Sequence, residues 1–190
     1  MNRALLLAAL AISGSAHAAE RARDLGIPFN GTPGKLNAIT DVAGVTVGYA
    51  TLVEDLADGK AVRTGVTAIL PRGRDTIDKP AFAGIFSLNG NGEMTGAHWV
   101  KESGFLEGPV LLTNTHSVGV VRDAAIAWRV RQGKPDASGY WWSLPVVAET
   151  WDGELNDING FHEPRDPHAD ERDHRAFAPG AEDRPDRAAA

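Results

Sequence analysis

Residues 143–162 read SLPVVAETWDGELNDINGFH, and the way this stretch is read decides the fold around it. Leu144, Val146, Val147 and Ala148 make a short apolar run of β character. It opens into a polar, glycine-punctuated segment carrying Glu149, Trp151, Asp152, Asn156, Asp157 and Asn159. A strand that ends in such a segment feeds a loop, and loops held by a rigid scaffold are where binding and catalytic groups collect. Beyond His162 the chain changes character: residues 163–190 contain no Leu, Ile or Val, and Phe177 is their sole large apolar side chain. With about half its residues charged and prolines at Pro164, Pro167, Pro179 and Pro185, this tail cannot bury enough surface to fold and is expected to be disordered. His168 and His174 are too far apart for the i, i+4 spacing that puts two ligands on one helix face, so no metal site is expected there.

Upstream, the pattern alternates strands and helices. Residues 19–35, with Pro28 and Pro33, predict an extended, turn-rich arm. Ile39, Val42, Val45, Val47 and Tyr49 read as short strands with a turn or bulge at Gly44, and Asp58-Gly59 signals a hairpin turn within 55–60. Val62–Leu70 is a second β run, and Ala81–Leu88 a third, apolar enough to be buried on both faces. Thr95 is placed to cap a short helix over 96–103 that presents Trp99 and Val100 to a core and stops at Gly104. Residues 109–113 form a further strand. Ser117 is placed to cap a helix over 118–131, with Val120, Ala124 and Trp128 on its packed face and Arg122, Asp123, Arg129 and Arg131 toward water. The sum is a mixed α/β (α+β) domain without internal repeats. Pattern alone leaves open whether the sheet is doubly wound or part of a sandwich.

Composition narrows the function classes. Residues 1–18 begin with Met1, Asn2 and Arg3, run through an apolar stretch over 4–12 and end in Ala16-His17-Ala18, the form of a secretory signal peptide cut after Ala18. The run is far shorter than the ~20 residues of a membrane span. The mature chain is therefore expected to be periplasmic or secreted, with no membrane partner. There is no Cys, so an exported fold must do without disulfides. A formal net charge of −6 with scattered Arg63, Arg72 and Arg74 argues against nucleic acid and suits a small cationic ligand.

Two constellations stand out. In LNGNGEMTG (88–96), Gly90, Gly92 and Gly96 miss the dinucleotide fingerprint by one residue, which excludes a nucleotide cofactor on spacing. The glycines serve either a tight turn or a loop in which Asn89 and Asn91 face a substrate carbonyl or carboxylate. Glu149 and Trp151 place a carboxylate at a strand end beside an aromatic ring, suited to a protonated amine through charge pairing and cation–π contact. An ordinary strand-end polar cluster explains the same residues equally well. His116 and Ser117 are adjacent and diverge from a strand end, which disfavours a Ser117 nucleophile.

The segments RARDLGIPFNGTPGKLNAITDVAGVTVGYATL, VRTGVTAILPRG, FSLNGNGEMTGAHWVKESGFLEGPVLLTNTHSVGVVRDA and YWWSLPVVAETWDGELNDINGFH together resemble the N-terminal, α-chain portion of the L-aminopeptidase D-Ala-esterase/amidase family, relatives of which include the β-peptidyl aminopeptidases. The resemblance runs from Arg21 to His162. It implies a partial αββα sandwich similar to the N-terminal nucleophile hydrolases, no cofactor, and a small peptide or aminoacyl amide as substrate. It also implies self-processing into α and β chains that form αβ units and oligomerise, with a serine-type nucleophile opening the β chain, which this chain lacks. By resemblance Glu149 grips the substrate's amino terminus, and Trp151, where some relatives carry Tyr, supports the transition state. With the signal at 1–18 read from the residues, the resemblance implies an α-chain-like domain at 19–162 followed by a disordered tail of out-of-frame character at 163–190, in a truncated aminopeptidase inactive alone. The alternative is a non-catalytic binding chain that pairs with a separate β chain.

Overall fold

The computed structural model describes residues 21–74, 79–132 and 142–162. The expectations for the signal peptide and the tail lie outside these residues. The chain divides into two units at Thr32/Pro33. In the first, residues 21–27 form a compact turn closed by Leu25 N–H to Arg21 O at 3.2 Å, and the Arg23 guanidinium lies 5.2 Å from the Phe29 ring centroid.

In the second unit, β1 (Thr46–Asp55) and β2 (Ala61–Leu70) form an antiparallel hairpin. The hairpin turns where Asp58-Gly59 predicts it. Gly59 has φ 79°, and Leu56 N–H bonds Lys60 O at 2.9 Å. The segment before β1 differs from expectation: Ile39–Asp41 is a 3-10 turn, not a strand. Asp41 explains it, because its carboxylate accepts from the Leu36 and Ala38 amides and holds the chain in a local turn.

Next come the two-residue β3 (Ala81–Phe82), α1 (Ala97–Ser103), β4 (Phe105–Leu106), β5 (Val110–Asn114), α2 (Val118–Gln132) and β6 (Val146–Thr150). The main sheet has the order β1-β2-β5-β6, antiparallel except for the parallel β5/β6 pair, and β3 pairs with β4 in a separate small sheet. Neighbouring residues of a strand point to opposite faces, so one pair of strands serves two cores. Leu111 and Val147, paired in register and both 0% exposed, pack with Ala68 under Val118, Val121 and Ala125 of α2. Val110 and Val146 look the other way, onto Val100 of α1, Leu106 of β4, Ala83 and Ile85. The layering is helix, sheet, then small sheet with helix.

Three local expectations are corrected. The run 81–88 is a strand only at its first two residues. Ala83 and Ile85 pack inward, whereas Phe82, Phe86 and Leu88 on the opposite side are 87–89% exposed. Thr95 does not cap α1. Its hydroxyl donates to Pro145 O at 2.7 Å and accepts from Val147 N–H at 3.0 Å, while Gly96 in a left-handed conformation starts the helix. Ahead of α2, the Asn114 side chain caps the 3-10 turn Thr115–Ser117, accepting from the His116 and Ser117 amides at 3.0 Å. The packed stripe of α2 is Val118, Val121, Ala125 and Trp128, rotated from the predicted one, and it takes Arg129 with it at 5% exposure. The Arg129 guanidinium is accommodated because Gly108 (φ 94°) has no side chain: a Cβ there would sit 3.2 Å from Nη1. Among the described residues no helix is long and apolar enough to cross a membrane.

Candidate functional site

The parallel pair β5/β6 ends at one rim of the sheet, with Thr113 opposite Glu149 and Asn114 opposite Thr150. Ligand sites of α/β sheets favour the carboxyl ends of parallel strands, because the chain leaves them in loops that converge over the same edge. Three segments converge here: the turn after β5, the glycine loop before α1, and the segment that follows β6.

Glu149 is half-buried at the end of β6, one of the two sheet strands whose termini meet at this rim. Its Oε2 accepts a hydrogen bond from the Thr115 hydroxyl, which belongs to the 3-10 turn Thr115–Ser117 after β5. Among the described residues no second side-chain hydrogen bond reaches Glu149. Oε1 faces Gly92, where a Cβ would stand 3.1 Å away. The glycine loop is fixed against β6 by backbone bonds: Glu149 N–H to Glu93 O at 3.1 Å and Thr95 N–H to Val147 O at 2.9 Å, with Met94 bridging Ala148 antiparallel. The loop 88–96 and Glu149, treated separately in the sequence, are therefore one site.

Within that loop Asn89 turns its Oδ1 onto the Asn91 amide at 2.9 Å, and the Ser87 hydroxyl donates to Asn89 O at 2.7 Å. Asn89 thus shapes the turn, and both asparagines are exposed beside the site. Trp151, two residues past Glu149, is 65% exposed, and its ring folds back over Gly153 so closely that a Cβ at 153 would lie 2.5 Å from Cζ2.

The segment after Trp151 is strapped to the first residues of β2. Asn156 is 6% exposed; its Oδ1 accepts from Arg63 N–H at 3.0 Å and its Nδ2 donates to Asp152 Oδ1 at 3.2 Å, while Asp157 N–H bonds Ala61 O at 2.8 Å. Asp157 also meets His162 Nε2 and Lys60 Nζ, each at 3.2 Å. The hydrogen bond from His162, then that from Lys60, holds the Asp157 carboxyl below its ordinary value against the opposing effect of burial. The same contact raises Lys60. His116 is tied to this strap: its Nδ1 lies 3.3 Å from Ile158 O and its ring stacks on Phe161 at 5.5 Å. Ser117 is 2% exposed, out of reach of a substrate.

The sequence pointed to Glu149, Trp151 and the asparagines but not to Thr115 or to the particular glycine, Gly92. Thr115 lies 34 residues from its partner, and nothing in a single sequence reports such a pairing. Chemically, the rim offers a carboxylate with one oxygen anchored to protein and an aromatic ring nearby in sequence, a setting suited to a cation.

The family model for peptidase family S58 matches residues 37–182, continuing past His162. The chain is 54% identical over 162 residues to the β-peptidyl aminopeptidase BapA of Sphingosinicella microcystinivorans, covering 83% of this chain and 40% of that protein. It is 49% identical over 171 residues to BapA of Sphingosinicella xenopeptidilytica, covering 85% and 41%. Among solved structures it is similar to a Burkholderia sp. β-aminopeptidase (TM-score 0.71, 49% identity, 83% of this chain and 42% of that one). It is likewise similar to the L-aminopeptidase D-Ala-esterase/amidase of Ochrobactrum anthropi, described as a prototype of the serine aminopeptidases and a new variant among the Ntn hydrolase fold (TM-score 0.68, 48% identity, 76% and 41%). The chain spans about 40% of the length of the curated relatives it matches.

Proposed function

This chain belongs to peptidase family S58, and on that premise we propose that the rim around Glu149 binds the free amino terminus of a small peptide, aminoacyl amide or ester whose N-terminal bond a serine-type aminopeptidase hydrolyses. The observation that carries this reading is the half-buried Glu149 carboxylate at the end of the β5/β6 pair, with Oε2 held by Thr115 and Oε1 turned to a side-chain-free residue. A carboxylate so held is pre-organised for an ammonium, since little side-chain freedom is left to lose on binding. Trp151 is proposed to flank the bound amine or the reacting carbonyl.

The nucleophile is proposed to come from the part of the family fold that this sequence does not span, as the first residue of a β-chain segment. On this reading the chain by itself hydrolyses no aminoacyl p-nitroanilide. It gains activity when folded together with such a segment, in αβ units that assemble further. The leader through Ala18 is proposed to export the chain, and the N-terminal sequence of the exported product then starts at Ala19.

The test is binding of β-alaninamide to the full chain, followed by calorimetry or by amide chemical shifts. Saturable binding that weakens about tenfold or more in Glu149→Gln is expected, the size of a charge-assisted hydrogen bond. Absence of binding to the wild-type chain, or equal affinity of the variant, overturns the reading.

A further inference from the structure

We propose that Thr115 and Gly92 divide the two oxygens of Glu149 between protein and ligand: the Thr115 hydroxyl fixes Oε2, and the bare Cα of Gly92 keeps Oε1 open to the incoming ammonium. Thr115 is then a positioning residue and Gly92 a specificity-determining one, an inference that rests on the amine-binding reading of Glu149.

The Thr115 hydroxyl is held in place by its surroundings. Thr115 begins the turn that Asn114 ties down through the His116 and Ser117 amides, and the next residue, His116, is braced by Ile158 O and the Phe161 ring. Asn114 is in turn 3% exposed and donates to the Thr64 hydroxyl at 2.9 Å. A glutamate carboxylate rotates about its last bond unless one oxygen is held, and the Thr115 donor removes that rotation. Oε1 is thereby aimed at the glycine loop.

Gly92 does not need to be glycine for its backbone. It is not among the residues of positive φ, so an alanine there meets no conformational penalty of the left-handed kind. What a Cβ would meet is Oε1 at 3.1 Å, a contact tighter than nine in ten real Cβ contacts, and Cδ at 4.0 Å. Nor is the loop able to step aside freely, because the next residue, Glu93, accepts the Glu149 N–H through its carbonyl. The glycine therefore marks space reserved beside one oxygen of one carboxylate.

The experiment uses the full chain labelled with 13C at the glutamate carboxyls, with β-alaninamide as probe. Thr115→Val keeps the shape of the side chain and removes the donor; it is expected to move the Glu149 Cδ resonance and to weaken β-alaninamide about tenfold. Thr115→Ser is expected to return both to wild type. Gly92→Ala is expected to move the same resonance and to weaken the probe about fivefold. A Cδ resonance unmoved by Thr115→Val, or affinity not restored by Thr115→Ser, overturns the role of Thr115. Wild-type affinity in Gly92→Ala overturns that of Gly92. If the wild-type chain binds no β-alaninamide, the amine-binding reading fails, while the ligand-free Cδ shift still decides whether Thr115 holds the carboxylate.

Discussion

At the scale of single residues, the strap behind Trp151 depends on two side chains with different physics. Asn156 is buried and neutral, and both ends of its amide are bonded, so Asn156→Ala leaves the Arg63 amide without its acceptor. A loss of about 1–3 kcal/mol in urea unfolding is expected. Asp157 is charged, and its contribution follows pH. Its folded pKa lies below the ordinary 3.8, so the stability it adds is fully present above that value and is lost as pH falls through the folded pKa. Lys60, raised above the ordinary 10.5, contributes below that value and loses its contribution as pH rises through its folded pKa. Asp157→Asn is therefore expected to flatten the acid limb of a Tm-against-pH profile, and the alkaline limb as well, since Lys60 loses its partner. An unchanged acid limb in the variant would contradict the assignment.

At the scale of elements, the α2–sheet interface sets the position of the rim, because β5 and β6 reach it with Leu111 and Val147 fully buried beneath the helix. Leu111→Ala is expected to cost about 2–5 kcal/mol through lost burial and the cavity left behind, read as a lowered denaturation midpoint. The elements most legible in the sequence are those specified locally. The 58–59 hairpin turn, the stop of α1 at Gly104 (φ 74°) and strand β6 are written in turn chemistry and short apolar runs. Where the reading failed, a distant partner decided the outcome. The stripe of α2 rotated to admit Arg129 beside Gly108, and Thr95 left its capping position for Pro145 O and Val147 N–H, some fifty residues away in the chain. The candidate site divides the same way: Glu149 is visible as a carboxylate at a strand end, whereas its partners Thr115 and Gly92 come from two other segments.

At the scale of the whole molecule, the most exposed of the large apolar side chains among the described residues are Phe82, Phe86 and Leu88, at 87–89%. They alternate with the inward Ala83 and Ile85 along 82–88, and the Phe82 ring stacks on Phe105 at 5.0 Å. Three large apolar side chains left this exposed within seven residues favour contact with another polypeptide surface or association of the chain with itself. The double substitution Phe86→Ser and Leu88→Ser is expected to lower self-association of the chain in sedimentation and to reduce binding of a hydrophobic dye. The sheet itself is unequal at its two borders. Beyond β6 the border is already occupied by residues 93–95, which bond Val147 and Glu149 through the backbone, whereas β1 carries Tyr49, Leu52 and Val53 outward at 37–62% exposure. Among the described residues no strand pairs beyond β1, so the sheet is polar in its capacity for extension: a further strand, whether from a sister molecule or a fibril seed, has its docking register at β1, and the loop that shapes the Glu149 rim also acts as a stopper against growth across it.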